Sequence, residues 1–155
     1  EICDIPLPLR RVTFAQRDAA VRAIREYIEA KEGDVNYNDT AKLYDHLGVI
    51  RRFDLQNVMD ILETEVHILR LGPIAFATNP FELFLDYGNQ IRARSKAEQT
   101  FLIQLCNGYE GYLPTLKAEK GGHYSAFVGS GQCGHEAGEL LVRETLRRIN
   151  DMFDE

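Results

Sequence analysis

Ile74-Ala75-Phe76-Ala77-Thr78-Asn79-Pro80-Phe81-Glu82 is the stretch that decides the fold. Its first five residues are almost continuously apolar, which predicts a short strand buried on both faces, and Asn-Pro then turns the chain. Just upstream, Gly72-Pro73 marks a tight turn. Before it, from Glu65, the apolar period is two: Val66 and Ile68 share one face with Arg70, while His67, Leu69 and Leu71 share the other. The two runs form a β-hairpin. Downstream, a helix is predicted from about Glu82 to Arg94, followed by a second apolar strand, Thr100-Phe101-Leu102-Ile103-Gln104-Leu105-Cys106. Hairpin, helix and strand in this order predict an α/β fold, with helices packed on a mixed sheet.

The flanking regions extend this plan. Ile2 to Val12 is extended, and Pro6 and Pro8 confine it to a sheet edge or a polyproline-like arm. Thr13 is an N-cap for a helix reaching Lys31, with Val21, Ile24 and Ile28 at helical spacing. Gly33 to Asp39 is turn-rich, and two shorter helices are expected at roughly Thr40 to Leu47 and Asp54 to Thr64, the second capped by Asp54. These first helices should cover one side of the sheet. After Tyr112 comes a glycine-rich loop, then a closing helix from about Glu136 to Met152 with Leu141, Val142, Leu146 and Ile149 as its apolar stripe.

Composition narrows the function classes. The 155 residues suit one domain, with 45% hydrophobic and 27% charged residues. A net charge of -6, with Lys and Arg dispersed, argues against a nucleic-acid partner. No apolar run is long enough for a transmembrane helix. The three cysteines (Cys3, Cys106 and Cys133) have no CxxC spacing, and Cys3 and Cys106 are expected to be buried thiols. The chain opens at Glu1-Ile2-Cys3 without an initiator Met or a signal-type segment, which suggests a segment of a longer protein.

Three constellations carry candidate chemistry. Gly129-Ser130-Gly131-Gln132-Cys133-Gly134 matches GxGxxG before a helix, but no second strand follows to complete a dinucleotide-binding unit. A glycine loop that is mobile or covers a site is the alternative. His135 and Glu139 stand at i, i+4, a spacing that suits two metal ligands, but a helix start, with capping and acidic residues compensating the helix dipole, is the simpler reading. The third is Glu82 with Tyr109, Tyr112 and Tyr124. Glu82 and Tyr112 follow two strand ends, where open α/β sheets place their chemistry. Adjacent strands would bring carboxylate and phenol within roughly 3–5 Å, the range for sharing one ion. No Ser-His-Asp or Cys-His setting is recognisable, and His46, His67 and His123 stand singly.

From Arg70 to Tyr124, and at Pro6-Leu7-Pro8-Leu9-Arg10-Arg11, the chain resembles the C-terminal part of the catalytic domain of the neutral/alkaline non-lysosomal ceramidase family. Pro80-Phe81-Glu82-Leu83 is similar to the family's Pro-Gly-Glu-Phe-like turn, with Phe81 where Gly is usual, and Asn107-Gly108-Tyr109-Glu110-Gly111-Tyr112 to its Asn-x-Tyr-x-x-Tyr. The resemblance implies that Glu82 and Tyr112 are zinc ligands and that Tyr124, in Gly122-His123-Tyr124-Ser125, faces the substrate amide. It further implies an N-acyl amide or sphingolipid-like substrate, and two further zinc-binding histidines from a missing N-terminal part of the same protein. The expected function is therefore part of a zinc-dependent hydrolase of N-acyl amide bonds that supplies half of the metal site and is inactive as this isolated chain. The alternative is a non-catalytic α/β binding or interaction module.

Overall fold

The computed structural model describes residues 1–154. Two antiparallel pairings and one parallel pairing build a mixed sheet in the order β1-β2-β3-β5. Its strands are β1 (Ile2–Pro8), β2 (Ile61–Leu71), β3 (Ile74–Thr78) and β5 (Gln99–Ile103). Between β3 and β5 lie β4 (Glu82–Leu83) and helix α4 (Leu85–Arg94); β4 pairs in parallel with β6 (Tyr112–Leu113). The remaining helices are α1 (Phe14–Ala30), α2 (Tyr37–Lys42), α3 (Tyr44–Leu55), α5 (Leu116–Gly121) and α6 (His135–Asp151). Short 3₁₀ turns at Tyr124–Ala126 and Val128–Ser130 complete an α/β fold with a mixed sheet. Among the described residues, no helix is long and apolar enough to cross a membrane.

β1 is an edge strand, as its prolines require, and Ile5 and Leu7 point inward from it. α6 packs its stripe of Leu141, Val142, Leu146 and Ile149 across β1, β2 and β3, and α4 packs beside it through Tyr87 and Ile91. Each of these aliphatic side chains contributes about 1.5–3 kcal/mol by leaving water. Thr13 caps α1, as the sequence predicts, and the structure adds a reciprocal bond from Gln16 that completes a capping box.

Several expectations are corrected. The segment expected as a helix from Asp54 to Thr64 divides: α3 ends at Leu55 and β2 begins at Ile61, because Ile61 and Leu62 pair with Pro8 and Leu7 of distant β1. The expected Thr40–Leu47 helix breaks at Leu43, where α2 ends and α3 begins. Asp54 thus lies inside α3 and caps nothing. Glu82 belongs to β4 rather than to a helix, and β5 ends at Ile103 rather than Cys106. The early helices do not principally cover the sheet: α1 packs on α3, and α3 on the Val128–Ser130 turn.

Burial on both faces of β3 is also corrected. Ala75 and Ala77 are buried against the helices, whereas Ile74, Phe76 and Thr78 are only half-buried on the other face. Phe76 stacks on Phe101 there, with ring centroids 5.2 Å apart. Cys3 and Cys106 are only half-buried; Cys133 is the buried thiol.

Candidate functional site

Parallel pairing of β3 with β5 aligns their carboxyl ends, and the alignment persists through the turns that follow. Asn79, buried at the end of β3, donates its backbone N–H to Ile103 O at 2.9 Å and accepts from Cys106 N at 3.0 Å. Its side-chain Oδ1 accepts from Phe81 N at 3.1 Å, closing the turn. Glu110 N donates to Pro80 O and Glu82 N to Gly111 O, at 3.0 and 2.9 Å. Phe81, fully enclosed, anchors this stretch in the core. Because strand residues alternate, Phe81 and Leu83 point inward and Glu82 points the other way.

The result is direct register between Glu82 and Tyr112, Cα partners across the β4–β6 pair. The Glu82 carboxylate interacts with the Tyr112 phenol and raises its pKa above the ordinary tyrosine value; desolvation acts in the same direction. Glu82 Oε2 is sealed from solvent without a hydrogen-bond partner among the described residues. An orphaned carboxylate oxygen is costly, and it marks a position where a donor or cation is wanted.

Tyr124 closes one side. Its ring lies edge-on to Tyr112 with centroids 5.9 Å apart, and 5.6 Å from the ring of Tyr44. Tyr124 is 58% exposed, and its pKa is raised first by Tyr44, then by partial burial and by Tyr109 and Glu82. The cluster therefore unites Glu82, Tyr112 and Tyr124, with Tyr109 near but largely exposed. Tyr44, at the start of α3, was not legible from sequence. It arrives because its hydroxyl donates to Gly129 O at 3.0 Å, across a separation of 85 residues.

A backbone signal accompanies the side chains. Leu105, Asn107 and His123 are the non-glycine residues with positive φ among those described, at 54°, 61° and 74°. They fall in the two segments that deliver Tyr112 and Tyr124. Such strained residues concentrate where a structure holds groups for function.

The other constellations resolve differently. Gly131 bridges to Gly111, so the GxGxxG loop docks against the strand end that carries Tyr112. His135 and Glu139 do not form a ligand pair: His135 Nδ1 lies 3.0 Å from Glu119 Oε2, and Glu119 Oε1 accepts the His135 backbone N–H at 2.8 Å. Glu119 thereby caps the start of α6 from outside the helix. His67 Nε2 sits 2.9 Å from both Glu65 Oε1 and Asn107 Nδ2, at the rim of the open sheet face.

Glu82 and Tyr112 are two oxygen donors of a kind that a zinc shell can include. A carboxylate and a phenol in register, one oxygen of the carboxylate orphaned, suit two positions of a tetrahedral ion. Among the described residues no group of three His, Cys, Asp or Glu converges to complete it. No protein-family model, curated protein or solved structure matches this chain.

Proposed function

We propose that Glu82 and Tyr112 are two oxygen ligands in the zinc site of a ceramidase-like hydrolase of N-acyl amide bonds. The supporting observation is the register pairing of Glu82 with Tyr112 beside an unpartnered carboxylate oxygen. Further ligands, histidines on the resemblance stated above, come from a segment outside these residues. Bound zinc lowers the pKa of a coordinated water toward ~7 and polarises a carbonyl.

The chain's own residues perform complementary tasks. Glu82 brings the negative charge that balances a cation. Tyr112 places its phenol oxygen beside that charge, in register with Glu82 across the β4–β6 pair. Tyr124 stays protonated, and its exposed hydroxyl can donate to the oxygen of a reacting amide as negative charge develops there.

Zinc titration calorimetry on the 155-residue chain tests the assignment. Weak zinc binding is expected, lost in Glu82→Gln and reduced in Tyr112→Phe, because affinity follows ligand count. A longer protein that supplies the proposed histidines should carry stoichiometric zinc. Zinc binding that Glu82→Gln leaves unchanged overturns the proposal, as does chelator-sensitive amide turnover by the isolated chain. A longer protein free of zinc would favour a non-catalytic binding module.

A further inference from the structure

Helices α6 and α4 cover one face of the mixed sheet and leave the other bare. Because side chains alternate along each strand, the register fixes what the bare face presents. One row is Leu69, Phe76 and Phe101, Cα partners across β2, β3 and β5. On one side of it Leu71 stands with Ile74, and on the other Ile2 with His67 and Thr78 with Ile103. Ile2, Leu69, Leu71, Phe101 and Ile103 are between 41% and 69% exposed. A groove of about 480 Å³ opens among Ile2, Leu69, Leu71, Phe76 and Ile103. Parallel strand pairs such as β3–β5 belong mostly to sheets covered on both faces. Contiguous exposed apolar surface of this kind marks an interaction site.

The same face turns acidic farther along β1 and β2. Asp4 stands opposite Glu65 as its Cα partner, Glu63 follows on the same face, and all three are exposed. Like charges directly opposite one another destabilise a strand pair. Among the described residues, Asp4 and Glu63 form no ion pair and Glu65 meets only His67. Arg70, the one Lys or Arg in these four strands, points to the opposite face, 4.3 Å from the centroid of the Phe153 ring. We propose that the bare face docks a polypeptide surface with an aliphatic centre and a lysine- or arginine-bearing border. The aliphatic side chains pack on Leu69, Phe76 and Phe101, and the cations enter among Asp4, Glu63 and Glu65. A second copy of this chain supplies no such cation, because a two-fold interface sets the same surface on both subunits. An anionic lipid surface is repelled by the same carboxylates. The proposal does not depend on zinc at Glu82.

Two synthetic peptides test the surface, one alternating leucine with lysine and the other leucine with glutamate. Each is titrated into the ¹⁵N-labelled 155-residue chain. The lysine peptide should bind saturably, about tenfold or more tightly than the glutamate peptide, and shift amide resonances of β2, β3 and β5. Added sodium chloride should weaken it. Leu69→Glu and Phe101→Glu, both at exposed positions, should abolish binding and leave Tm nearly unchanged. Non-specific attraction to an acidic chain would grow in these variants, which add negative charge, so loss of binding identifies the apolar row. Asp4→Asn combined with Glu63→Gln should narrow the difference between the peptides. Equal binding of the two peptides, no binding of either, shifts confined to other parts of the molecule, or binding that survives Leu69→Glu overturns the proposal. A dimer in sedimentation equilibrium that Leu69→Glu dissolves gives the face to a second copy, and flotation with phosphatidylcholine vesicles that Leu69→Glu abolishes gives it to lipid; either result also overturns the proposal. Should a variant fail to fold, the wild-type shift map and the ratio of the two peptide affinities decide.

Discussion

A β-carbon built on Gly131 would fall 2.0 Å from the carbonyl oxygen of Tyr112, so the glycine-rich loop lies directly on the backbone that carries the candidate ligand. On the other side of the bridge, Gly111 sits at φ +73°, and its β-carbon would fall 2.4 Å from Ser130 O. Loop and strand end form one unit. The GxGxxG spacing here serves backbone approach within the chain, and it brings the Tyr124 segment over Glu82 and Tyr112.

Gly131→Ala should therefore destabilise the protein, by about 1–3 kcal/mol if the loop shifts to relieve the overlap. Urea unfolding measures the loss, and near-UV circular dichroism should show altered tyrosine signals. Unchanged stability and tyrosine signals would mean that the loop does not rest on Tyr112.

Gly138 poses a second close approach, in the middle of α6. By helix propensity alone, Gly138→Ala should gain about 1 kcal/mol. Yet its β-carbon would meet the Tyr87 ring at 2.3 Å, while the Tyr87 hydroxyl is held by Pro114 O at 2.9 Å. A net destabilisation of about 1–3 kcal/mol is expected instead. In a Tyr87→Leu background the same substitution should cost less or turn favourable, so a double-mutant cycle isolates the clash.

Stability should decline at both pH extremes for separate reasons. Asp39 is held down to about 2, first by the Tyr27 hydroxyl at 2.7 Å, then by Asn36 N–H at 2.8 Å and by Lys31. Its contribution is present above the ordinary value of 3.8 and is lost as pH falls through about 2. Cys133 is raised from 9.0 to about 12, and Tyr87 is also raised by burial, so each keeps its proton in the folded state while the unfolded chain releases it. That contribution is intact below pH 9.0 and is lost as pH rises through about 12. Urea midpoints measured from pH 2 to 12 should fall at both ends. Asp39→Asn should flatten the acid limb, and Cys133→Ala the first part of the alkaline limb.

In any longer protein that completes the proposed zinc site, Glu82 and Tyr124 should separate binding from rate. Glu82→Ala should lose zinc and amide hydrolysis together. Tyr124→Phe should retain zinc and lose rate on the order of 10²–10³, the typical cost of one oxyanion donor. Zinc content and kcat on a fluorogenic N-acyl amide check both. Loss of zinc, or full rate, in Tyr124→Phe removes Tyr124 from the reacting carbonyl.

Local pattern determined much of this protein. The period-two run and Gly72-Pro73 specified the β2–β3 hairpin, the stripe from Leu141 to Ile149 specified the buried face of α6, and Thr13 specified the start of α1. These features depend on neighbours a few residues apart, so periodicity and capping chemistry reveal them. The sequence also placed Glu82 and Tyr112 at two strand ends. Tertiary structure alone decided that those ends are in register and that Tyr44 joins them. It also turned Ile61 and Leu62 from an expected helix into a strand, through pairing with β1 more than fifty residues away. Gly131 and Gly138 look like a phosphate loop and a weak point in a helix when read locally. Their role is the space they leave for Tyr112 and Tyr87, which exists only once distant segments pack together.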